Sequence, residues 1–530
     1  MSRDSENCSS LTLKAGLPIA TRLSLEDFAM LVVVLALITV YANWAWLSSD
    51  FGMSAYIPPF APGYNRMEQT HLGAECFNVA KSITQGHGFS HPFGDSTGPT
   101  GWVSPMLPYW MACGLWCVNG SREALTVLVL AMQILVLALT GTICLAVGRR
   151  MQSTSLALVA IAIVLCTNFK WMFQVTHDCV FQMLWVDVIF LGLWCFPTPC
   201  RRVSGLLGWG CVGGLCALAG PAAGGTFAIG TTIRWIFSRG ASGEGKNQVL
   251  SSEPGSQGVD FMSRDALSVG VGSEGTGTNP RLAPCGSQFP TKSTDCSIWL
   301  RLRAIAIVGV VSLLVVSPWM LYQAMRLGKF VPIKSNSAFE LYQGQCVVPD
   351  GMVVDMSFLL HPYHAFSEEG KRYREIGETA YLAEKQQATR HSILSNPKEY
   401  LRRVANRFLA STLLFQSEMK QDEKRFYFPL LQVLGMLPFF AFVLVAGRRF
   451  TLKSTTASRR TNPGTADEFD WVFPAGLCYF AYLLPYWFVS YYERYGVGAS
   501  LPRMLFVLGL LVTIKRGFGQ WSIGKNTQGE

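Results

Sequence analysis

Two carboxylates stand seven residues apart, with an imidazole between them, in the stretch Glu68-Gln-Thr-His71-Leu-Gly-Ala-Glu75-Cys-Phe-Asn78. Leu72, Cys76, Val79, Ala80 and Ile83 recur at helical spacing, and seven residues are nearly two turns, so Glu68, His71 and Glu75 share one stripe. Such a stripe can hold a divalent cation, or serve as a general base tuned by a second acid. The plainer reading is a solvated face on an interfacial helix. A third acid stands in Thr176-His177-Asp178, at the mouth of an apolar run. Lys334-Ser-Asn336 can bind a phosphate or sugar hydroxyls, with ordinary loop solvation as the alternative. Arg494, in Tyr491-Tyr-Glu493-Arg494-Tyr495, offers a cation close to a bilayer surface, or a snorkelling partner for an aromatic belt.

Composition says what must carry these groups. Half of the 530 residues are apolar, only 15% are charged, and the mean hydropathy is +0.27, against about 25% charge in soluble chains. The apolar residues gather into runs near 28–47, 123–147, 153–169, 180–196, 204–219, 221–237, 303–324, 428–446, 471–489 and 498–514. These lengths are what a membrane helix needs, so the expected fold is an all-α integral membrane protein of about ten transmembrane helices. The net charge of +10 does not point to nucleic acid, because Lys and Arg flank the apolar runs. Arg149 and Arg150, Arg201 and Arg202, Arg234 and Arg239, Arg448 and Arg449, and Lys515 and Arg516 follow the even-numbered spans. The positive-inside rule then puts both termini in the cytoplasm of a multi-pass plasma (inner) membrane protein. Gly220-Pro221 reads as a tight outer turn, with a kink in one long helix as the alternative.

The same orientation divides the chain. Residues 1–27 form a cytoplasmic tail, 28–237 an N-terminal transmembrane module with outer loops, and 238–297 a Gly/Ser-rich cytoplasmic insertion read as disordered. Then come a span at 298–324, an outer segment at 325–427, C-terminal spans within 428–516 and a tail at 517–530. All seven histidines fall in outer segments, which favours chemistry on that face. The turn-rich run from Gly86 to Trp102 can present backbone N–H groups to an anion such as phosphate, and Ser104-Pro105 reads as an N-cap and first helical residue. Asp187 lies half a turn out of phase with Asp178, which favours a structural hydrogen bond. Asn396-Pro397 caps a helix in which Leu401, Val404 and Phe408 form one face while Arg402, Arg403 and Arg407 crowd the rest, a pattern suited to anionic headgroups. Fifteen cysteines read as small core residues, with at most one disulfide among Cys76, Cys179 and Cys346.

In order and spacing these pieces resemble the GT-C class of membrane glycosyltransferases, in the branch similar to protein O-mannosyltransferases and aminoarabinose transferases (family 39-like). The resemblance rests on Gly86-His-Gly-Phe89, Gly98-Pro-Thr100, Ser104-Pro-Met-Leu-Pro108-Tyr109, Asp178, Ala217-Leu-Ala-Gly220-Pro221 and Pro318-Trp319, across 28–237 and 300–514. In the family the first-loop acid commonly stands close to the first span; here the first acid after Asp50 is Glu68. The resemblance implies a GT-C-like bundle with an outer helical segment, and transfer of a sugar from a polyprenyl-phosphate donor to an acceptor hydroxyl or amine, with inversion. Glu68, Glu75 and Asp178 are then the catalytic acids, with an optional Mg or Mn ion among them. His71, His177, Lys334, Asn336 and Arg494 are expected to bind substrate. Membrane lipids are the implied partners, with no nucleic acid; the rival expectation is a secondary transporter or lipid flippase.

Overall fold

The structure is a computed structural model that describes residues 23–44, 74–94, 97–174, 177–199, 202–237, 298–353, 360–363, 367–413, 428–456 and 469–526. Glu68, His71 and the 238–297 insertion lie outside the described residues. The described chain is helical, with no strand among the described residues. Its helices are α1 (Leu25–Ala42), α2 (Ala74–Thr84), α3 (Met106–Cys117), α4 (Arg122–Arg150), α5 (Thr154–Thr167), α6 (Asp178–Cys195), α7 (Val203–Ala219) and α8 (Pro221–Ile236). They continue as α9 (Ile298–Leu327), α10 (Ser337–Tyr342), α11 (Glu368–Ser395), α12 (Pro397–Leu413), α13 (Phe428–Thr456), α14 (Val472–Phe488) and α15 (Ser500–Asn526).

Among the described residues, each apolar run named above falls on a helix. Five stretches are long and apolar enough to cross a membrane: Leu25–Ala42, Ala124–Arg150, Asp178–Cys195, Ile298–Leu327 and Glu493–Gly517. Thr154–Thr167, Val203–Ala219, Val433–Gly447 and Val472–Phe488 are apolar but shorter. The outward faces are greasy, with Val33, Leu37, Val310, Leu313 and Leu314 all more than half exposed. Contiguous apolar surface of this kind marks a membrane-associated protein. Helix α15 is the opposite case: Met504 to Leu508 are at most 1% exposed, so the last helix is the packed axis of the bundle.

Local sequence sets the helix ends. Ser24, Ser121 and Ser367 cap α1, α4 and α11, their hydroxyls accepting from the N–H of Asp27, Ala124 and Gly370. Asn396 caps α12 through the Glu399 N–H at 3.2 Å. Ser104 does not cap α3: Pro105 occupies that position, with no side-chain bond to the helix. At Gly220 the chain turns between α7 and α8, which pack as an antiparallel hairpin in which the Trp209 indole donates to Thr231 at 3.1 Å and Trp209 meets Phe227. Gly210 and Gly214 leave no room for a Cβ against Val311 and Val315 of α9, which is how small residues let membrane helices approach closely.

The helix ends sort into two groups. One end gathers the arginines: Arg149 pairs with Asp27, Arg150 pairs with Asp470 at 3.0 Å, and Arg301 donates to the Ile236 carbonyl at 2.9 Å. At the other end the segments before α3 and after α9 share one aromatic core, with Phe93 and Trp102 packed on Phe339, Tyr373 and Tyr381. The Gly-rich run holds an anion there, but an internal one. The Glu378 carboxylate accepts from the Gly101 N–H at 2.8 Å and from the hydroxyls of Thr100 (2.5 Å), Ser335 (2.6 Å) and Tyr373 (2.9 Å). A break at Gly377 (φ 75°) in α11 sets Glu378 at this position.

Arg407 departs most from the headgroup-binding pattern read in α12. It is 0% exposed, and its guanidinium donates to the carbonyls of Gly344 (3.2 Å), Gly351 (3.0 Å), Trp487 (3.1 Å) and Val489 (3.0 Å). Arg402 and Arg403 pair with Glu399 instead of facing outward alone, while Leu401 is 63% exposed. The helical period holds, but the tertiary fold turns its basic face inward at Arg407. Arg407→Ala strands four buried acceptors and is expected to destabilise the chain by about 3 kcal/mol or more. Thermal unfolding of the purified protein measures this, and Arg407→Lys should restore little, because an ammonium lacks the planar fork.

Candidate active site

A cavity of about 300 Å³ opens at the end of the bundle opposite the arginine cluster. Its lining draws on four connections: Glu75 from α2, Asp178 from the start of α6, Lys334, Asn336, Glu340 and His361 from the segment after α9, and Ser490, Arg494 and Tyr495 from the link between α14 and α15. Glu75, Asp178, Lys334, Asn336 and Arg494 are thus brought together. His177 is not: it is buried behind Asp178, its Nε2–H donating to the Trp171 carbonyl at 2.7 Å. Burial, with Arg494 adding to it, lowers its pKa to about 4, so the imidazole is neutral.

Glu75 reaches the cavity because Cys76 and Ala80 of the same helix bury themselves against Leu107 and Met111 of α3. Burial drives its pKa up to about 7, against the pull of Arg494. Facing it is His361, whose Nε2 lies 3.6 Å from Glu75 Oε1. The Tyr363 N–H donates to His361 Nδ1 at 3.2 Å, which leaves the ring proton on Nε2, towards Glu75. The ring is fixed edge-on by Phe93, Trp102 and Phe339, with centroids 5.1–5.8 Å away. Burial lowers the His361 pKa to about 3, with the Glu340 charge opposing and Arg494 reinforcing. Glu75 therefore faces a neutral donor.

Across the cavity, Asp178 accepts from the Gln182 amide at 3.1 Å and from the Cys179 thiol at 3.6 Å. Lys334 lies 3.6 Å from Glu340. Glu340 also accepts from Asn336 (3.1 Å), Ser490 (2.8 Å) and Tyr495 (2.8 Å). Burial alone would raise the Glu340 pKa; Lys334, the two hydroxyls and Arg494 outweigh it and hold the carboxyl below its usual range. Lys334 and Asn336, read from sequence as ligand-binding, are thus also engaged by Glu340. Arg494 is different. Its guanidinium sits over the rings of Tyr492 and Tyr495, at 5.7 and 5.3 Å, and among the described residues it makes no ion pair and its Nε finds no acceptor.

Among the described residues the donor atoms suited to a metal share only Asp178 with the expected set of Glu68, Glu75 and Asp178. His177, Asp178 and Cys179 each bring one to within 4.8 Å of the others, a set whose thiol suits zinc better than Mg or Mn. Glu75 is not part of it, and Arg494 already supplies positive charge to both Glu75 and Asp178. Cys76, Cys179 and Cys346 are all free. Asp187 is fully buried outside the cavity and accepts from Thr140 at 2.6 Å, the structural bond that its helical phase predicts.

Glu340 carries no sequence signal for this site, and His361 is one of seven histidines in the chain. Neither sits in a motif; the signal for both is proximity to a cavity that exists only after folding. Comparison with protein-family models, curated proteins and solved structures finds no match to this chain.

Proposed function

We propose that this protein is a membrane glycosyltransferase that moves a sugar from a polyprenyl-phosphate donor to an acceptor hydroxyl. The observation that carries this reading is the convergence of Glu75, Asp178, Lys334 and Arg494, from four separate connections, on one cavity with an apolar wall of Leu107, Ala219, Pro221, Ala222 and Pro485. In this reading the donor phosphate lies against Arg494, with Lys334 as a second cation, and the first isoprene units lie along the apolar wall. Glu75 takes the acceptor hydroxyl proton as that oxygen attacks the anomeric carbon. The bond from the anomeric carbon to the phosphate oxygen breaks on the opposite face, inverting configuration, and the electron pair leaves with the polyprenyl phosphate. Asp178 orients the acceptor. In this reading the chain crosses the plasma membrane ten times with both termini in the cytoplasm, so the cavity faces outside, where nucleotide sugars are absent and a lipid-borne donor is required.

The test is transfer by the purified full chain from a radiolabelled polyprenyl-phosphate sugar to a membrane extract. Asp178→Asn is expected to lose about 10²-fold, whereas Asp187→Asn, which keeps the Thr140 bond outside the cavity, stays within about 3-fold of wild type. No transfer by the wild type, or equal rates in wild type, Asp178→Asn and Glu75→Gln, overturns the proposal.

A further inference from the structure

A second cavity, of about 660 Å³, lies between the end of α9, α10 and the second half of α11. Pro332, Lys334, Ser337 and Val489 line both this cavity and the first, so one thin wall separates the two. Its lining is largely apolar, including Leu327, Val331, Leu341, Leu382 and Ile393. At its edge Phe330 and Leu394 are 64% and 70% exposed. Leu327 is also the last residue of a helix long and apolar enough to cross a membrane, which puts the mouth at the depth of lipid headgroups.

The exposed charge in this lining has one sign. Lys329 and Arg390 are exposed, and neither is ion-paired among the described residues; Lys334 stands at the wall shared with the first cavity. The single lining carboxylate, Glu378, is 4% exposed and already holds four donors. An occupant that satisfies both features has an apolar chain for the lining and an anionic group for Lys329 and Arg390. We infer that this cavity seats the acceptor, and that the acceptor is an anionic lipid whose hydroxyl reaches the first cavity past Lys334. The inference rests on the transferase reading for the word acceptor, but not for the lipid site itself.

The experiment has two arms. In the first, the purified full chain is incubated with radiolabelled dioleoylphosphatidylglycerol or dioleoylphosphatidylcholine, and retained lipid is counted. Wild type is expected to retain the anionic lipid at least 5-fold over the zwitterionic one. The double variant Lys329→Ala/Arg390→Ala, altered only at exposed positions, should fall below 2-fold, and Thr379→Trp, which fills the cavity, should retain little of either. Equal retention of the two lipids by wild type, or a preference that survives in the double variant, overturns the site. In the second arm the transfer assay is fractionated: label in the organic phase supports a lipid acceptor, and label only in protein or water-soluble polymer overturns it. Absence of all transfer with the lipid preference intact removes the transferase reading and the acceptor role with it, while the lipid site stands.

Discussion

Arg494→Ala is expected to lower sugar transfer by about 10²–10³-fold, the range seen when a preorganised donor to a developing anion is removed. The size follows from where the charge sits. Lys334 lies 3.6 Å from Glu340, which blunts it as a phosphate ligand. Arg494 has no such partner among the described residues, and the Tyr492 and Tyr495 rings hold it in place. A leaving phosphate gains negative charge as the sugar departs, and a guanidinium that needs no reorganisation to meet that charge acts mainly on the transition state. Arg494→Lys keeps the charge but loses the fork and the ring stacking, so it should recover only part of the rate. The measurement is single-turnover transfer at saturating donor. A rate within about 3-fold of wild type in Arg494→Ala would remove this residue from the mechanism.

Glu75→Gln is the second large effect, with an expected loss of about 10²–10⁴-fold for a general base. Its pH dependence is the sharper test. Burial raises the Glu75 pKa to about 7, and only the carboxylate can accept a proton. The rate should therefore rise tenfold per unit below pH 7 and level off above it, with Asp178→Asn slower but of the same shape. A profile flat from pH 5 to 8 in wild type would exclude Glu75 as the base. The same shift has a consequence for stability. Between the ordinary value of 4.5 and about 7 the folded chain holds a proton that the unfolded chain has released, so the stabilisation present below 4.5 is lost as pH rises through that window. In Glu75→Gln, thermal unfolding should depend less on pH across the same range.

His361 supports the same reading from the other side of the carboxylate. A neutral imidazole 3.6 Å away, with its proton on Nε2, stands beside Glu75 without adding a charge that would depress its pKa. The aromatic box of Phe93, Trp102 and Phe339 leaves the ring little freedom to turn away.

The sequence by itself determined the helices, because a chain in hydrocarbon must satisfy its backbone internally and an apolar run of sufficient length has no other regular solution. The α7–α8 turn at Gly220-Pro221, the cap at Asn396 and the structural bond of Asp187 were legible for the same reason: each depends on residues close in sequence or on helical phase. Tertiary structure decided the rest. Glu340 and His361 entered the site, His177 left it, Arg407 turned from a surface cation into a buried clamp, and the Gly-rich run closed on Glu378 instead of an external anion. These outcomes depend on which loops meet once glycine-lined helices pack and aromatic side chains from distant segments fill one core. Burial then sets the protonation of Glu75, and no local pattern in the chain encodes the depth at which a carboxylate will lie.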